Sequence, residues 1–355
     1  MKKYFVAIIF LICSLLSLKL RADNYTADQQ KKIQQIQQIV KHDLMKGDIE
    51  HARNQLEEAA SNFHSEEIEM TMVQTLMQAG EYRHALSAAA HTQAEHQDFS
   101  DATLFYAWLL AMGGQTQPAI NLLSSSLEIH PNSELSALLA QINSGQFNSN
   151  AFTSKNIQLS PITDTKAINN NKFLASGIVV GTTVAITSRI SLEKNKRFFI
   201  RDGLGRVFKA HIDETFTDIH LARLIIENPA PVLNSTEIVN KTPFPGTPIY
   251  SVGFTHDAKP NWPELRIDIL GSPIGGTEKM YSLNIQNIDY GAGIYNLSGL
   301  LIGIVINDGS SLRKVQMLIN DSIGNDVVKS APPRIPADQV YEKALQTTVQ
   351  IFEDH

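Results

Sequence analysis

The chain has 355 residues, 43% of them apolar and 19% charged, with a formal net charge of -6 and a single cysteine. That length accommodates two ordinary domains, each able to bury a core without disulfides or metals, and the composition is globular, not disordered. The acidic balance offers no basic patch of the kind that nucleic acid requires, so a nucleic-acid partner is excluded.

Residues 1–22 stand apart. Lys2 and Lys3 precede an uncharged run from Tyr4 to Leu18, which ends at Lys19 and the small residue Ala22. This is the pattern of a secretory signal peptide, and the run is short of the roughly 20 apolar residues that a membrane span needs. Membrane attachment is expected only if this segment stays uncleaved. Its removal takes away four basic residues and no acid, moving the net charge to -10, and it also removes Cys13. An exported chain with no thiol has no disulfide, no cysteine redox chemistry and no Cys-type metal site. A bacterial periplasm or the cell exterior is the expected compartment.

Residues 23–150 read as helical. Ile33, Ile36, Val40 and Leu44 recur at three- and four-residue spacing, as do Met72, Val73, Leu76 and Met77. A phrase G-x-x-x-x-A returns at Gly47 to Ala52, Gly80 to Ala85 and Gly114 to Ala119, at intervals of 33 and 34 residues. Glycine allows the sharp turn between two antiparallel helices, and alanine five residues later lets the second helix approach the first closely. Pro131 closes the third unit before a further helix predicted at Ser133 to Asn143, and Gly145 begins a partial fourth. The phrase resembles the tetratricopeptide repeat, with Gly80, Tyr82 and Ala85 fitting its turn fully, while Thr116 replaces the turn aromatic in the third unit. The resemblance implies stacked helix pairs with a concave face that holds a peptide or a partner's helix. The histidines of this half form no H-E-x-x-H pair, so they read as solvated helix residues, and Trp108 reads as core.

From Ser144 to Asn171 the sequence turns polar and reads as a linker or domain approach, with residues 151–171 as the linker and first proteolytic cleavage expected between Ser144 and Asn171. Residues 172–334 then break into short β-type runs punctuated by Gly, Pro, Asn and Asp, the signature of a sandwich or barrel. Three stretches in order resemble the trypsin-like serine peptidases, in particular their bacterial high-temperature-requirement branch. Ala175 to Leu192 has the form of that family's G-S-G strand followed by V-L-T-N-x-H-V-V, which puts Thr187 on the family threonine and Ile190 on the histidine. The stretch from Arg197 to Ile226 resembles the one that carries the family's aspartate, here Asp218. Asp289 to Gly303 resembles the nucleophile loop and the strand after it, with Tyr290 in the place of the serine.

The expected fold is therefore multidomain, α then β: a tetratricopeptide-like helical array followed by a trypsin-like double β-barrel. Ile190 cannot accept a proton, and Tyr290 offers a phenol with no base beside it. Loss of a nucleophile or base costs about 10⁶ in turnover, so the resemblance implies a pseudo-peptidase with no catalytic residues, Asp218 surviving either as a relic or as a capped, buried carboxylate. Ser298 reads as a turn residue and His220 as a strand neighbour of Asp218. No cofactor and no metal are expected. The function that follows is binding of polypeptide or protein partners in the cell envelope. The alternatives are an active serine endopeptidase with a non-standard site and a structural subunit of an envelope assembly. Residues 335–355 read as a capped helix and a strand that resemble the segment preceding the G-S-G strand in the same family, moved here behind the barrel, where it either packs back as a permuted entry element or is the stub of a longer architecture.

Overall fold

A computed structural model describes residues 25–145, 147–149, 152–163, 168, 171–181, 183–189, 192, 196–227, 236–238, 243–255, 260–275, 279–284, 290–308, 313–318 and 332–354. The proposed signal segment lies outside them. Among the described residues seven helices come first: α1 (Ala27–Lys46), α2 (Ile49–Asn62), α3 (Glu66–Gln78), α4 (Tyr82–Glu95), α5 (Ser100–Met112), α6 (Thr116–Ile129) and α7 (Ser133–Asn143). Side chains cap several of their first turns. Thr26 forms a reciprocal capping box with Gln29, and Asp48, Ser65 and Asn132 each accept a backbone N–H at the start of α2, α3 and α7.

The repeated phrase is a repeated turn. Gly47, Gly80, Gly114 and Gly145 all have φ between 66° and 78°, the left-handed region where a side chain is strained. At the first three, the next residue's N–H reaches back to the helix it leaves, as from Glu81 to the Leu76 carbonyl and from Gln115 to that of Leu110. Ala52, Ala85 and Ala119 are fully buried, where the second helix of each pair meets the first. Helix α5, apolar on every side, is covered on every side: ten of its thirteen residues are buried, Trp108 among them.

Residues 152–163, within the segment read as a linker or domain approach, are packed on the helices. Phe152, Ile157, Leu159 and Ile162 are buried, and the first three share one core with α5 and α7. The segment is polar in composition because its other residues face solvent: Thr153, Lys155, Asn156 and Gln158 are exposed. The pattern is that of an extended strand with one face covered, here by helices instead of a sheet.

Among the described residues the β half consists of two six-stranded antiparallel units, the double-barrel arrangement expected. The first is closed and uses β1 (Phe173–Gly181), β2 (Val184–Ser188), β3 (Arg197–Asp202), β4 (Val207–Phe216), β5 (Leu221–Glu227) and β12 (Thr348–Glu353), in the order β1-β12-β3-β4-β5-β2. The second uses β6 (Pro248–Gly253), β7 (Glu264–Ile269), β8 (Met280–Ser282), β9 (Gly293–Tyr295), β10 (Leu301–Ile306) and β11 (Lys314–Met317), in the order β7-β6-β9-β10-β11-β8. Of the two fates open to residues 335–355, the structure selects packing back. Helix α8 (Ala337–Leu345) leads into β12, which sits between β1 and β3, pairing Ala175 with Ile351 on one side and Ile200 with Ile351 on the other. The last strand in sequence thus closes the first barrel.

Helix α8 also joins the barrels to the array. The rings of Tyr82 and Tyr341 meet edge to face at 4.6 Å, both fully buried. The Tyr82 hydroxyl donates to the Leu109 carbonyl and that of Tyr341 to the Pro263 carbonyl, so each phenol is satisfied where water is excluded. Around this pair the Arg83 amide donates to Glu342, the Arg83 guanidinium meets Asp338 at 3.2 Å, and the Gln346 amide donates to the Gly80 carbonyl.

Two outcomes follow. Phe352→Ala, at a fully buried position of β12, is expected to cost about 3–5 kcal/mol, lowering the melting temperature of the β half by roughly 6–20 °C in calorimetry. Alkaline stability is the second. Burial raises the phenols of Tyr82 and Tyr341 well above their ordinary range and pushes that of Tyr295 up to about 12. The unfolded chain releases these protons from about pH 10 while the folded chain retains them, so folding stability is full below pH 10 and falls as the pH rises above it. Denaturant titrations between pH 8 and 11.5 should show this fall, and it should be smaller in Tyr341→Phe.

Candidate functional site

The strongest sequence signal converges where the two β units meet. Main-chain contacts bring the three relevant segments together. The Arg189 N–H, just past β2, donates to the His220 carbonyl in the β4–β5 turn. The Asn307 N–H, just past β10, donates to the Ser188 hydroxyl at 3.0 Å. The Ser176 N–H of β1 donates to the Tyr290 carbonyl at 2.8 Å. Ser176 is completely buried, and its hydroxyl accepts from the Phe254 N–H at 3.0 Å while its carbonyl accepts from the Thr187 hydroxyl. Both groups of Ser176 are thereby spent on holding β2 and β6 to β1.

The three positions singled out from sequence fare differently. Ile190 lies outside the described residues. Tyr290 is half-buried, its ring packed beside the core of the second unit and capped by the Arg313 guanidinium, 4.3 Å from the ring centroid. Asp218 is exposed in the turn between β4 and β5, which corrects the expectation of a capped, buried carboxylate. His220 closes that turn with φ of 56°, so it is no strand neighbour of Asp218 as the alternation suggested. The local reason is that β5 begins only at Leu221.

Ser298 behaves as a turn residue. Its N–H and that of Leu300 both donate to the Asn296 side-chain oxygen, and its hydroxyl donates to the Pro332 carbonyl at 2.7 Å. Among the described residues no histidine is hydrogen-bonded to a serine. The histidines that have a side-chain partner face carboxylates, as in His51 with Asp43 at 2.7 Å and His211 with Glu227 at 3.2 Å. No group of three or more His, Cys, Asp or Glu among the described residues is arranged to hold a metal ion, and no helix among them is long and apolar enough to cross a membrane.

A second candidate is the face of the array formed by the first helices of its pairs, where residues 152–163 lie. Gln78, almost fully buried, grips Ile162 by both main-chain groups: its amide nitrogen donates to the carbonyl at 2.6 Å and its oxygen accepts the N–H at 2.9 Å. Gln74, one turn earlier, donates to the carbonyls of Ser160 at 3.0 Å and Gln158 at 3.3 Å. Sequence reasoning passed over both glutamines, although their i, i+4 spacing on a first helix was visible. Nothing local marked Arg313.

With this geometry established, comparison with known proteins adds a name for part of the chain. Residues 76–142 match the tetratricopeptide repeat family. The match spans α4, α5, α6 and most of α7, and the same turn and the same buried alanine continue outside it at Gly47 and Ala52. No curated protein sequence matches the chain. Among solved structures, it is similar to the Rv3671c protease in its inactive form, with 14% sequence identity, coverage of 41% of this chain and 82% of that one, and a TM-score of 0.33.

The joint between Tyr290 and β1 gives a direct test. Gly291 has φ of 86°, and a β-carbon there would overlap the Ser176 carbonyl. Gly47 has a similar φ but nothing within 4 Å of the β-carbon position. Gly291→Ala is expected to cost about 3 kcal/mol or more, against about 1–2 kcal/mol of backbone strain for Gly47→Ala. Urea denaturation of the two variants measures the difference.

Proposed function

We propose that the protein is a catalytically inactive trypsin-like pseudo-peptidase that uses its helical array and β units to bind polypeptide or protein partners in the cell envelope. The observation that carries the reading is the state of Tyr290. Its carbonyl is held by the Ser176 N–H and its ring face by Arg313, so the loop that resembles a nucleophile loop presents a tyrosine whose ring face is covered. Acyl transfer needs a nucleophile with a base in hydrogen-bond reach, and amides aimed at the developing oxyanion. Ile190, Asp218 and Tyr290, as the triad-equivalent positions, supply an alkyl group, an exposed carboxylate and a capped phenol. Binding is supported by the repeats themselves, since stacked helix pairs make extended surfaces for other proteins. An envelope location rests on the basic, apolar character of residues 1–22.

The purified protein is expected neither to cleave unfolded protein substrates nor to react with serine-directed organophosphonates, while retaining an unfolded polypeptide on a column. Ile190→His with Tyr290→Ser would supply a base and a nucleophile but leave the oxyanion amides unplaced, each worth about 3–4 kcal/mol, so at most weak labelling is expected. Stoichiometric labelling of the unaltered protein at any serine, located by mass spectrometry, would overturn the reading.

A further inference from the structure

The segment from Phe152 to Thr163 sits on the array as a bound peptide would. It has no helix or strand of its own. Its contacts to the array are of two kinds. Buried apolar side chains at Phe152, Ile157, Leu159 and Ile162 provide the packing. The hydrogen bonds are made to its main chain: Gln78 to both groups of Ile162, Gln74 to the carbonyls of Gln158 and Ser160, and Glu134 to the Lys155 N–H at 3.4 Å. These three side chains come from α3 and α7, first helices of their pairs. A grip on main-chain amides is indifferent to which residue carries them, so selectivity falls to the apolar positions.

The anchors at the two ends are separate from this face. On one side the Arg266 guanidinium donates to the Phe147 carbonyl and the Ser149 N–H to Glu264, both on β7. On the other the Thr163 hydroxyl donates to the Gly205 carbonyl between β3 and β4. The stretch between the anchors can therefore leave the helices while both ends stay on the β units.

We propose that residues 152–163 are an intramolecular ligand of the helical array, and that the array takes in their place an extended polypeptide with two apolar side chains two residues apart, its main chain gripped by Gln74 and Gln78. The proposal rests on the reading of the protein as a polypeptide binder and names where and how it binds. A ligand tethered at both ends competes at an effective concentration in the millimolar range, so free peptide binds the intact protein weakly. Release of the segment is the step that opens the surface.

Two measurements test this. In the intact chain, hydrogen exchange followed by mass spectrometry should show the amides of residues 157–162 exchanging at least about tenfold faster than those of α5, because a segment that opens locally exchanges without global unfolding. Equal protection would mean that the segment is fixed core and would overturn the proposal. Second, a fluorescent peptide with the sequence of residues 152–163 should bind full-length Leu159→Ala about tenfold or more tighter than the unaltered protein, and adding Gln78→Ala should abolish that gain. Equal affinity for both, or no binding to Leu159→Ala that is folded by circular dichroism, overturns it. If that variant does not fold, the exchange measurement alone decides. Failure of both the intact protein and Leu159→Ala to retain unfolded polypeptide, with the peptide of residues 152–163 still binding Leu159→Ala, would remove the proposed function and leave this site standing.

Discussion

The pair Tyr82 and Tyr341 is the contact on which the arrangement of the molecule depends. Each ring covers the other, and each hydroxyl reaches a carbonyl beyond the pair, Leu109 within the array and Pro263 at the start of β7. A buried phenol without such a partner carries a desolvation cost of one to several kcal/mol, which is why this contact has a single favourable geometry. Gly113 is required beneath it, since a β-carbon there would collide with the Tyr82 hydroxyl. Tyr82 thus serves twice, as the turn aromatic of a repeat and as the bolt to the barrels.

Because Tyr341 belongs to α8, the same contact ties the array to the closure of the first barrel. Strand β12 follows α8 after two residues and pairs with both β1 and β3. The last strand carries buried polar groups of its own: the Gln350 side chain accepts from the Arg201 guanidinium and donates to Asn261, linking the two β units. Arg201 is almost fully buried and lies over the Phe352 ring at 5.0 Å. Stability, inter-unit orientation and the docking of the helices are consequently coupled through 18 residues at the end of the chain, Pro336 to Glu353.

The two candidate surfaces are connected through side-chain and main-chain hydrogen bonds as well. Thr255 donates to Asn148, at the head of the segment that covers the helices, and its neighbour Phe254 donates to Ser176, which holds Tyr290. A change in the covering segment thus has a short physical route to the joint between the β units. The route consists of packed and hydrogen-bonded groups, and coupling through it requires that one of them have two arrangements.

Much of this was legible in the sequence, for reasons that are local. A left-handed turn selects glycine and a close helix crossing selects alanine, so Gly47, Gly80, Gly114 and their partners announced the repeat, and its helices lie where the period put them. Short apolar runs between turn residues announced the strands, and Asn296, Ser298 and Gly299 announced a turn. Tertiary structure alone decided the rest. The burial of Asp218 depended on whether another element covers the β4–β5 turn, and none does among the described residues. Whether residues 335–355 pack back or lead elsewhere depended on an open slot between β1 and β3, which no residue in that segment encodes by itself. The packing of the polar segment after α7 was not legible because alternation of exposed and buried residues requires a surface to alternate against, and here that surface is a row of helices distant in sequence.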